Sequence, residues 1–312
     1  MITLKRYTPD QQPVWDAFVK SAKNGLFLLE RAYMDYHSDR FTDHSLLGYN
    51  GDELIAVLPA NETSTGELWS HQGLTYGGFI SGKRMTAGAM LGLFDALKTH
   101  CTEAGIRTVY YKAIPYCYHQ LPAGEDLYAL FRNDATLYRR DASSLLYTAH
   151  NPGYGKGTKA SLSKGRKAGL QVGVSTDYDA FMAIEEEILR TRYNTRPTHS
   201  RSEIRLLAGR FPDNIKLYTV HEGDTLLGGT ITFSTPQVMH TQYIAIGEAG
   251  RTVGALDTLV DYLLRQEVGE RPYFSFGTST EDGGRYLNEG LMRNKESFGA
   301  RTITLDFYKL TY

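Results

Sequence analysis

The sequence contains little cysteine, no long apolar run and almost no net charge. Only Cys101 and Cys117 occur in 312 residues, too few for a disulfide framework or a zinc cluster, which favours a reducing compartment. No apolar run approaches the roughly 18 residues that span a bilayer. A net charge of −1 disfavours a protein built to bind DNA, although it is compatible with a local basic patch.

The first residues show no targeting signal. Residues 1–6 lead into polar residues and Pro13, whereas a signal peptide continues into an apolar stretch. We therefore expect a cytoplasmic protein without a transmembrane segment, which would meet a membrane-linked substrate at the inner face of the membrane. The other histidines, His37, His44, His100, His119, His150 and His221, show no metal-ligand spacing, so we expect no metal.

One order of elements occurs twice along the chain. A hairpin around a Gly-Asp turn is followed by a strand, a helix and another strand, at 46–59, 74–80, 87–97 and 107–112, and again at 217–230, 239–246, 254–264 and 273–277. Gly-Asp pairs suit tight hairpin turns, and the apolar residues of the second helix repeat at helical spacing. Breakers at Pro152, Gly153 and Gly155 predict two similar α+β domains, residues 1–152 and 153–312.

Three blocks of sequence add a family resemblance, namely residues 70–78, residues 196–200 with Glu203, and residues 276–300. They resemble Fem-type proteins, which are tandem GNAT (acyl-CoA N-acyltransferase) domains with mixed sheets flanked by helices, and in particular armless members linked to bacterial cell-envelope and polysaccharide synthesis. The resemblance implies an acyltransferase. It would transfer an acyl or aminoacyl group, by direct attack, to an amine or hydroxyl of a peptidoglycan or polysaccharide precursor, which is small or lipid-linked.

The donor is less well defined by the sequence. In GNAT proteins a Q/R-x-x-G-x-G/A loop at a helix start holds the donor pyrophosphate, because a helix N-terminus offers free N–H groups and a positive dipole end. Arg251 and Gly254 match its first two positions, but Leu256 departs from it. The resemblance therefore implies a co-substrate, acyl-CoA or aminoacyl-tRNA, rather than a tightly bound cofactor, and leaves the choice between them open.

Four residues are candidates for catalysis, and five more join Arg251 and Gly254 as candidates for donor binding. His199, Glu203 and His240 are candidate proton carriers, and the resemblance adds Lys295 as an oxyanion or anion contact. His199 and Glu203 would share one helix face, and alternation would send His240 and Gln242 to one face of a strand and Tyr243 to the other. Besides Arg251 and Gly254, the candidate donor contacts are Gln242, Tyr243, Thr278, Ser279 and Asn288.

Two further groups are candidate binding residues. Acceptor binding is predicted for Trp69, His71, Tyr76, Gly77 and Gly78, because adjacent glycines allow close approach of a ligand. A basic run without an acid suits a phosphate-rich ligand, namely tRNA, a nucleotide sugar, CoA or anionic lipid, or is a solvated helix face. It comprises Lys156, Lys159, Lys164, Arg166 and Lys167. The imperfect donor loop also fits a non-catalytic binding or scaffold protein with a decayed transferase fold.

Overall fold

The computed structural model describes residues 1–312 and divides into two compact units. Unit 1 comprises Met1–Asp141 with Thr304–Tyr312, and unit 2 comprises Ala142–Ile303. This division differs from the predicted domains 1–152 and 153–312, because a strand runs unbroken through Thr136–Tyr147 and the strand Arg301–Thr311 ends in unit 1. The breakers at 152–155 form the loop before a helix instead.

Unit 1 contains four α-helices, a four-stranded sheet and part of a second sheet. The helices are α1 (Gln12–Ser21), α2 (Arg31–Met34), α3 (Ala87–Glu103) and α4 (Glu125–Arg132). The strands are β1 (Ile2–Arg6), β2 (Thr42–Asp43), β3 (Leu46–Asn50), β4 (Glu53–Leu58), β5 (Asn61–Glu62), β6 (Glu67–Trp69), β7 (Ile80–Ser81), β8 (Thr108–Lys112) and the first part of β9 (Thr136–Tyr147). One sheet has the order β1-β3-β4-β7, and β8, β6, β5 and β2 follow one another in a second.

Unit 2 is built around one larger sheet. Its helices are α5 (Lys156–Lys167), α6 (Tyr178–Ile188), α7 (Arg201–Arg210), α8 (Glu248–Val253), α9 (Ala255–Tyr262) and α10 (Glu289–Ser297). Its strands are β10 (Gln171–Ser175), β11 (Ile215–Glu222), β12 (Thr225–Ser234), β13 (Val238–Ile246), β14 (Tyr273–Thr278), β15 (Thr280–Glu281), β16 (Tyr286–Leu287) and the first residues of β17 (Arg301–Thr311). The sheet order is β10-β11-β12-β13-β14-β9, with only β13 and β14 parallel.

Both predicted hairpins are confirmed. They are β3–β4 around Gly51 and β11–β12 around Gly223, and both glycines have positive φ, as tight turns require. The strand predicted at 74–80 is wrong except at its end, since only Ile80–Ser81 is extended there. Residues 70–79 form an irregular segment instead.

Each unit has its own core. In unit 1, α3 packs Leu93, Phe94 and Leu97 with strand residues such as Val109. In unit 2, Leu259 and Leu263 pack with Met239 and Tyr218 on one face of the sheet. Helix α6 packs against β12 and β13, and its Phe181 approaches Gly229 on the other face. None of the helices combines the length and apolar character needed to cross a membrane.

Candidate functional site

The central strands of unit 2 separate partway along their length. The parallel pairing of β13 with β14 runs only from Val238 opposite Tyr273 to His240 opposite Ser275. Beyond that point β13 continues to Ile246, whereas Gly277 and Thr278 of β14 pair with β9 alone. A gap therefore opens between the two strands, and the backbone polar groups that line it on β13 have no ladder partner on β14.

A β-bulge lies beside this gap. Ile231 of β12 pairs with Tyr243 and Thr232 with Thr241, so Gln242 is the extra residue on β13. Phe233 of β12 pairs with His240. Ile231 and Phe233 are two residues apart and therefore face the same side of the sheet, so their partners Tyr243 and His240 also share one face. The prediction that Tyr243 faces away from His240 is therefore wrong, because strict alternation does not hold across a bulge.

The first polar cluster on this face surrounds the Tyr243 hydroxyl. The Tyr243 oxygen lies 2.6 Å from His199 Nδ1 and accepts a 3.2 Å hydrogen bond from the His199 backbone N–H. Besides burial, the negative charge of Glu185, on α6, helps to raise the pKa of the same tyrosine. Burial raises the pKa of Tyr243 to about 12, and the His199 N–H and the side chains of Thr198 and Gln242 oppose that rise.

Glu185 was not identified from the sequence, although it has the most perturbed carboxyl of this cluster. It is 8% exposed, and burial raises its pKa to about 7. A buried carboxyl with a pKa near neutrality suits a general base or acid. The available signal was its place on a helix face, since Phe181, Met182 and Glu185 of α6 are all buried at helical spacing.

The second polar cluster lies where β13 and β14 part. His240 Nδ1 is 3.0 Å from Ser275 Oγ, and burial, aided by the charge of Lys295, lowers the pKa of His240 to about 4. Lys295 is 7% exposed, and its Nζ donates to the carbonyl oxygens of Gly277 at 3.0 Å and Thr278 at 2.6 Å. Burial lowers the pKa of Lys295 to about 8. Lys295 thus fixes the end of β14 next to a neutral imidazole.

The strand-end loop provides helix capping and one unpaired hydroxyl. Asn288 is the N-cap of α10, accepting from the Leu291 N–H, and its amide also bonds Glu281. Ser279 is 2% exposed, and its Oγ has no hydrogen-bond partner, whereas Thr278 is exposed. Helix capping therefore accounts for Asn288, while the Ser279 hydroxyl contributes no hydrogen bond to the fold.

Glu203 is placed apart from His199 by the start of α7. Ser200 is the N-cap, and Glu203 completes a capping box in which its Oε2 accepts from the Ser200 backbone N–H at 2.7 Å. Because His199 precedes the helix, the prediction that the two share a helix face is wrong. Glu203 has a capping function that requires no substrate.

Part of the predicted donor loop packs against another helix of the same unit. Arg251 lies in α8, is exposed, and donates from Nε to the Ile246 carbonyl oxygen. Gly254 joins α8 to α9 with φ of +83°, and a Cβ there would lie 2.4 Å from the Ser161 carbonyl oxygen of α5. Arg251 is therefore free to meet an anion, whereas Gly254 packs against another helix.

The basic run forms one side of α5. Thr158, Leu162 and Gly165 are its buried positions, and α5 packs on α8 and α9. All five cations are exposed on the remainder of the helix, namely Lys156, Lys159, Lys164, Arg166 and Lys167. None of them forms an ion pair with a carboxylate, so this side of α5 is uniformly positive.

In unit 1 the predicted acceptor residues are mostly buried. His71 is 5% exposed with φ of +65°, and Tyr76 is 6% exposed and contacts the Tyr118 ring. Burial lowers the pKa of His71 to about 3. Lys112 Nζ holds this segment by donating to the carbonyl oxygens of His71 and Leu74.

Close packing explains why positions 77 and 78 of this segment are glycines. A Cβ on Gly77 would lie 2.1 Å from the Ser70 carbonyl oxygen, and one on Gly78 would lie 2.5 Å from the Tyr111 ring. Trp69 is partly exposed and stacks on Tyr110 with a centroid distance of 3.9 Å. Of the five predicted residues, only Trp69 presents a side chain that a ligand could contact without displacing the fold.

Comparison with known proteins identifies this architecture. A family model described as an acetyltransferase (GNAT) domain matches residues 156–286, the stretch that contains the bulge and the gap. The matched stretch lies within unit 2, which therefore has the fold of a GNAT domain. No curated protein matches the chain by sequence.

Solved structures extend this likeness of fold over the whole chain. The crystal structure of FemX has a TM-score of 0.69 at 12% identity, covering 99% of this chain and 97% of that one. The C-terminal domain of a putative lysylphosphatidylglycerol synthetase from Agrobacterium fabrum has a TM-score of 0.62 at 10% identity, covering 97% and 92%. A tandem GNAT protein of the clavulanic acid biosynthesis pathway has 0.54 at 12%, covering 100% and 98%. The chain therefore has the tandem GNAT fold of Fem-type proteins, as its sequence blocks predicted.

Proposed function

We propose that this protein is an acyltransferase whose reaction takes place in the gap between β13 and β14. The observation that carries the proposal is the combination of separated strands, a bulge at Gln242, and two polar clusters on one face. Unpaired strand N–H groups could hold an acyl carbonyl, and they are already oriented for the charge that develops on its oxygen.

The site residues have two proposed roles, proton transfer and positioning. Glu185 accepts a proton from the attacking amine or hydroxyl, because its pKa of about 7 keeps it partly ionised near neutral pH. His199 positions the Tyr243 hydroxyl, which supplies a proton to the leaving group. His240, neutral above pH 5 and oriented by Ser275, donates a hydrogen bond towards the gap. Attack is direct, so no covalent enzyme intermediate forms.

The donor is an acyl or aminoacyl group on a phosphate-bearing carrier, either CoA or tRNA. The exposed Arg251 and the positive side of α5 favour such a carrier. The acceptor is an amine or hydroxyl of a cell-envelope precursor. This rests on the likeness to FemX and to a putative lysylphosphatidylglycerol synthetase, which are proteins of shared fold.

A thermal-shift titration tests the donor. We expect acyl-CoA or aminoacyl-tRNA to raise the melting temperature by the amount that ligand binding to the native state produces, and the deacylated carrier to raise it less. Product formation is then followed by release of the CoA thiol or by loss of labelled amino acid from tRNA. Binding without turnover on any amine or hydroxyl acceptor would contradict the catalytic proposal.

One observation favours a second candidate, a non-catalytic binding protein with a decayed transferase fold. Gly254 is packed against Ser161, and its backbone N–H donates to the Gly250 carbonyl oxygen, so this amide is not free to bind a pyrophosphate. This candidate predicts that acceptor-like ligands stabilise the protein while neither donor does. The titration therefore separates the two candidates.

A further inference from the structure

Exposed apolar side chains are concentrated in one segment of unit 1. Six of the sixteen large hydrophobic residues that are exposed in the whole chain lie within a single stretch of 22 residues: Tyr116, Leu121, Leu127, Tyr128, Phe131 and Leu137. Phe131 is the most exposed of them, at 75%. Scattered apolar residues need no explanation, but a concentration of them, as at Leu127, Tyr128 and Phe131 on one side of α4, marks an interaction surface. We call the six residues together the apolar strip.

A groove of about 540 Å³ adjoins the apolar strip, and Tyr116, Leu121 and Leu127 belong to both. The groove carries no free charge. Both oxygens of Asp306 accept hydrogen bonds from the Arg140 guanidinium, at 2.6 and 2.7 Å. His119 lies 3.0 Å from the Ile114 carbonyl oxygen, and burial lowers its pKa, so it is neutral near pH 7. An ionic ligand would find no partner here.

Part of the groove's backbone also offers no free hydrogen-bond donor. The N–H groups of Gln120 and Leu121 donate to the Lys23 carbonyl oxygen, and that of His119 donates to Tyr116. The Leu127 N–H bonds Asp126, and prolines, which line the groove at 115 and 122, have no N–H. A peptide needs about one hydrogen bond per 100–200 Å² of interface, whereas a hydrocarbon needs none.

We propose that this groove binds the hydrocarbon chain of a membrane lipid and that the apolar strip rests on the bilayer surface. Phe131 and Leu127 lie four residues apart on α4, so they enter the lipid from one side of the helix. Tyr128 lies at headgroup depth with the Arg132 guanidinium over its ring, the depth at which tyrosine and arginine are stabilised. This binding goes beyond the proposed transfer activity and does not require it.

The experiment is flotation of the full chain with vesicles of phosphatidylcholine and phosphatidylglycerol. We expect the wild type to float with the vesicles and the double variant Leu127→Ser/Phe131→Ser to partition at least about tenfold less, because each apolar side chain removed from lipid costs a large factor in affinity. The matched control is Tyr193→Ser, which alters another exposed aromatic residue, 64% exposed and in unit 2. It should float like the wild type.

A second variant tests the groove separately. Gly124 lines the groove, has a φ of −96°, and has nothing within 4 Å of a Cβ, so Gly124→Leu fills space without backbone strain. It should weaken binding of a fluorescent polyene fatty acid about tenfold. Gly88→Leu is the control, since Gly88 is equally open but lies at the start of α3. Melting curves check that each variant is folded.

Three results would overturn the proposal: a wild type that does not float, a double variant that floats unchanged, or a Phe131→Ser that instead dissolves a dimer seen by light scattering. Transfer to a water-soluble acceptor is measured in parallel. If that activity is present while vesicle binding is absent, the lipid proposal fails and the proposed function stands. If vesicle binding is present without any transfer, the proposed function fails and the lipid proposal stands.

Discussion

The substitution Glu185→Gln should lower activity and raise stability at once. Glu185 is 8% exposed, and burial moves its pKa from 4.5 to about 7. Between those values the native state holds the proton and the unfolded state has lost it, so stability falls as pH rises from about 4.5 to 7. Keeping the ionised carboxylate buried above pH 7 therefore costs about 3 kcal/mol.

Glutamine has the same shape and no charge, so the variant escapes that cost. We expect equal melting temperatures for the two proteins near pH 4.5 and a variant that melts about 5–10 °C higher at pH 8.5. The transfer rate of the wild type should rise with an apparent pKa of about 7, the value of Glu185. In the variant this rise disappears and the rate falls about 10²-fold or more.

The assays are differential scanning fluorimetry across pH and initial rates with saturating donor. Glu187→Gln is the matched control, because Glu187 lies on the same helix but is exposed and pairs with Arg190; it should leave both readouts unchanged. The reasoning is refuted if Glu185→Gln keeps the pH–rate profile of the wild type, or if the difference in melting temperature is the same at pH 4.5 and 8.5.

Three further predictions concern the other site residues. Tyr243→Phe should cost about 1–3 kcal/mol, because it removes a buried hydrogen bond from the His199 backbone N–H. It should lower the turnover rate by a larger factor than the KM changes. Lys295→Met should lower the free energy of unfolding in urea by about 2–4 kcal/mol by freeing two strand-end carbonyls. Glu203→Ala should cost about 1 kcal/mol through its helix cap without changing the rate, and a large loss of rate would restore Glu203 to the site.

A fifth prediction concerns the positive side of α5. Charge reversal at Lys164 and Arg166 should weaken binding of CoA or tRNA, most strongly at low salt, where screening is least. Lys98→Glu is the control, since Lys98 is an exposed helix cation of unit 1. If charge reversal on α5 and Lys98→Glu have equal effects, or if neither has an effect, the α5 cations are only a solvated helix face.

Much of the fold follows from local sequence signals. The Gly-Asp turns, the apolar spacing of α9 and the cap of α7 at Ser200 are short-range features, and the structure has each of them. Gly299 likewise follows α10 with φ of +98°. These features depend on residues within one or two turns of chain, so a single sequence contains enough information to predict them.

The site could not be predicted to the same extent, because its geometry depends on long-range pairing. The bulge at Gln242 is set by the register of β12 against β13, and nothing in residues 238–246 alone marks it. Glu185 becomes unusual only when α6 packs on the sheet and removes water from its carboxyl. Glycines 77 and 78 suggested a ligand, whereas their close neighbours are Ser70 and Tyr111 of the same unit.

The return of the chain to unit 1 has a consequence for synthesis on the ribosome. Unit 2 is contiguous, but unit 1 includes Thr304–Tyr312, and the pairing of Phe307–Thr311 with β8 completes its sheet. The segment made first therefore waits with an open edge at β8 until nearly 200 further residues have been translated, while unit 2 can fold before it. During that interval the exposed edge is a site for mispairing. Chaperone dependence should accordingly reside in unit 1, and a stop codon just before residue 304 should release a chain with a folded second unit and an incomplete first one.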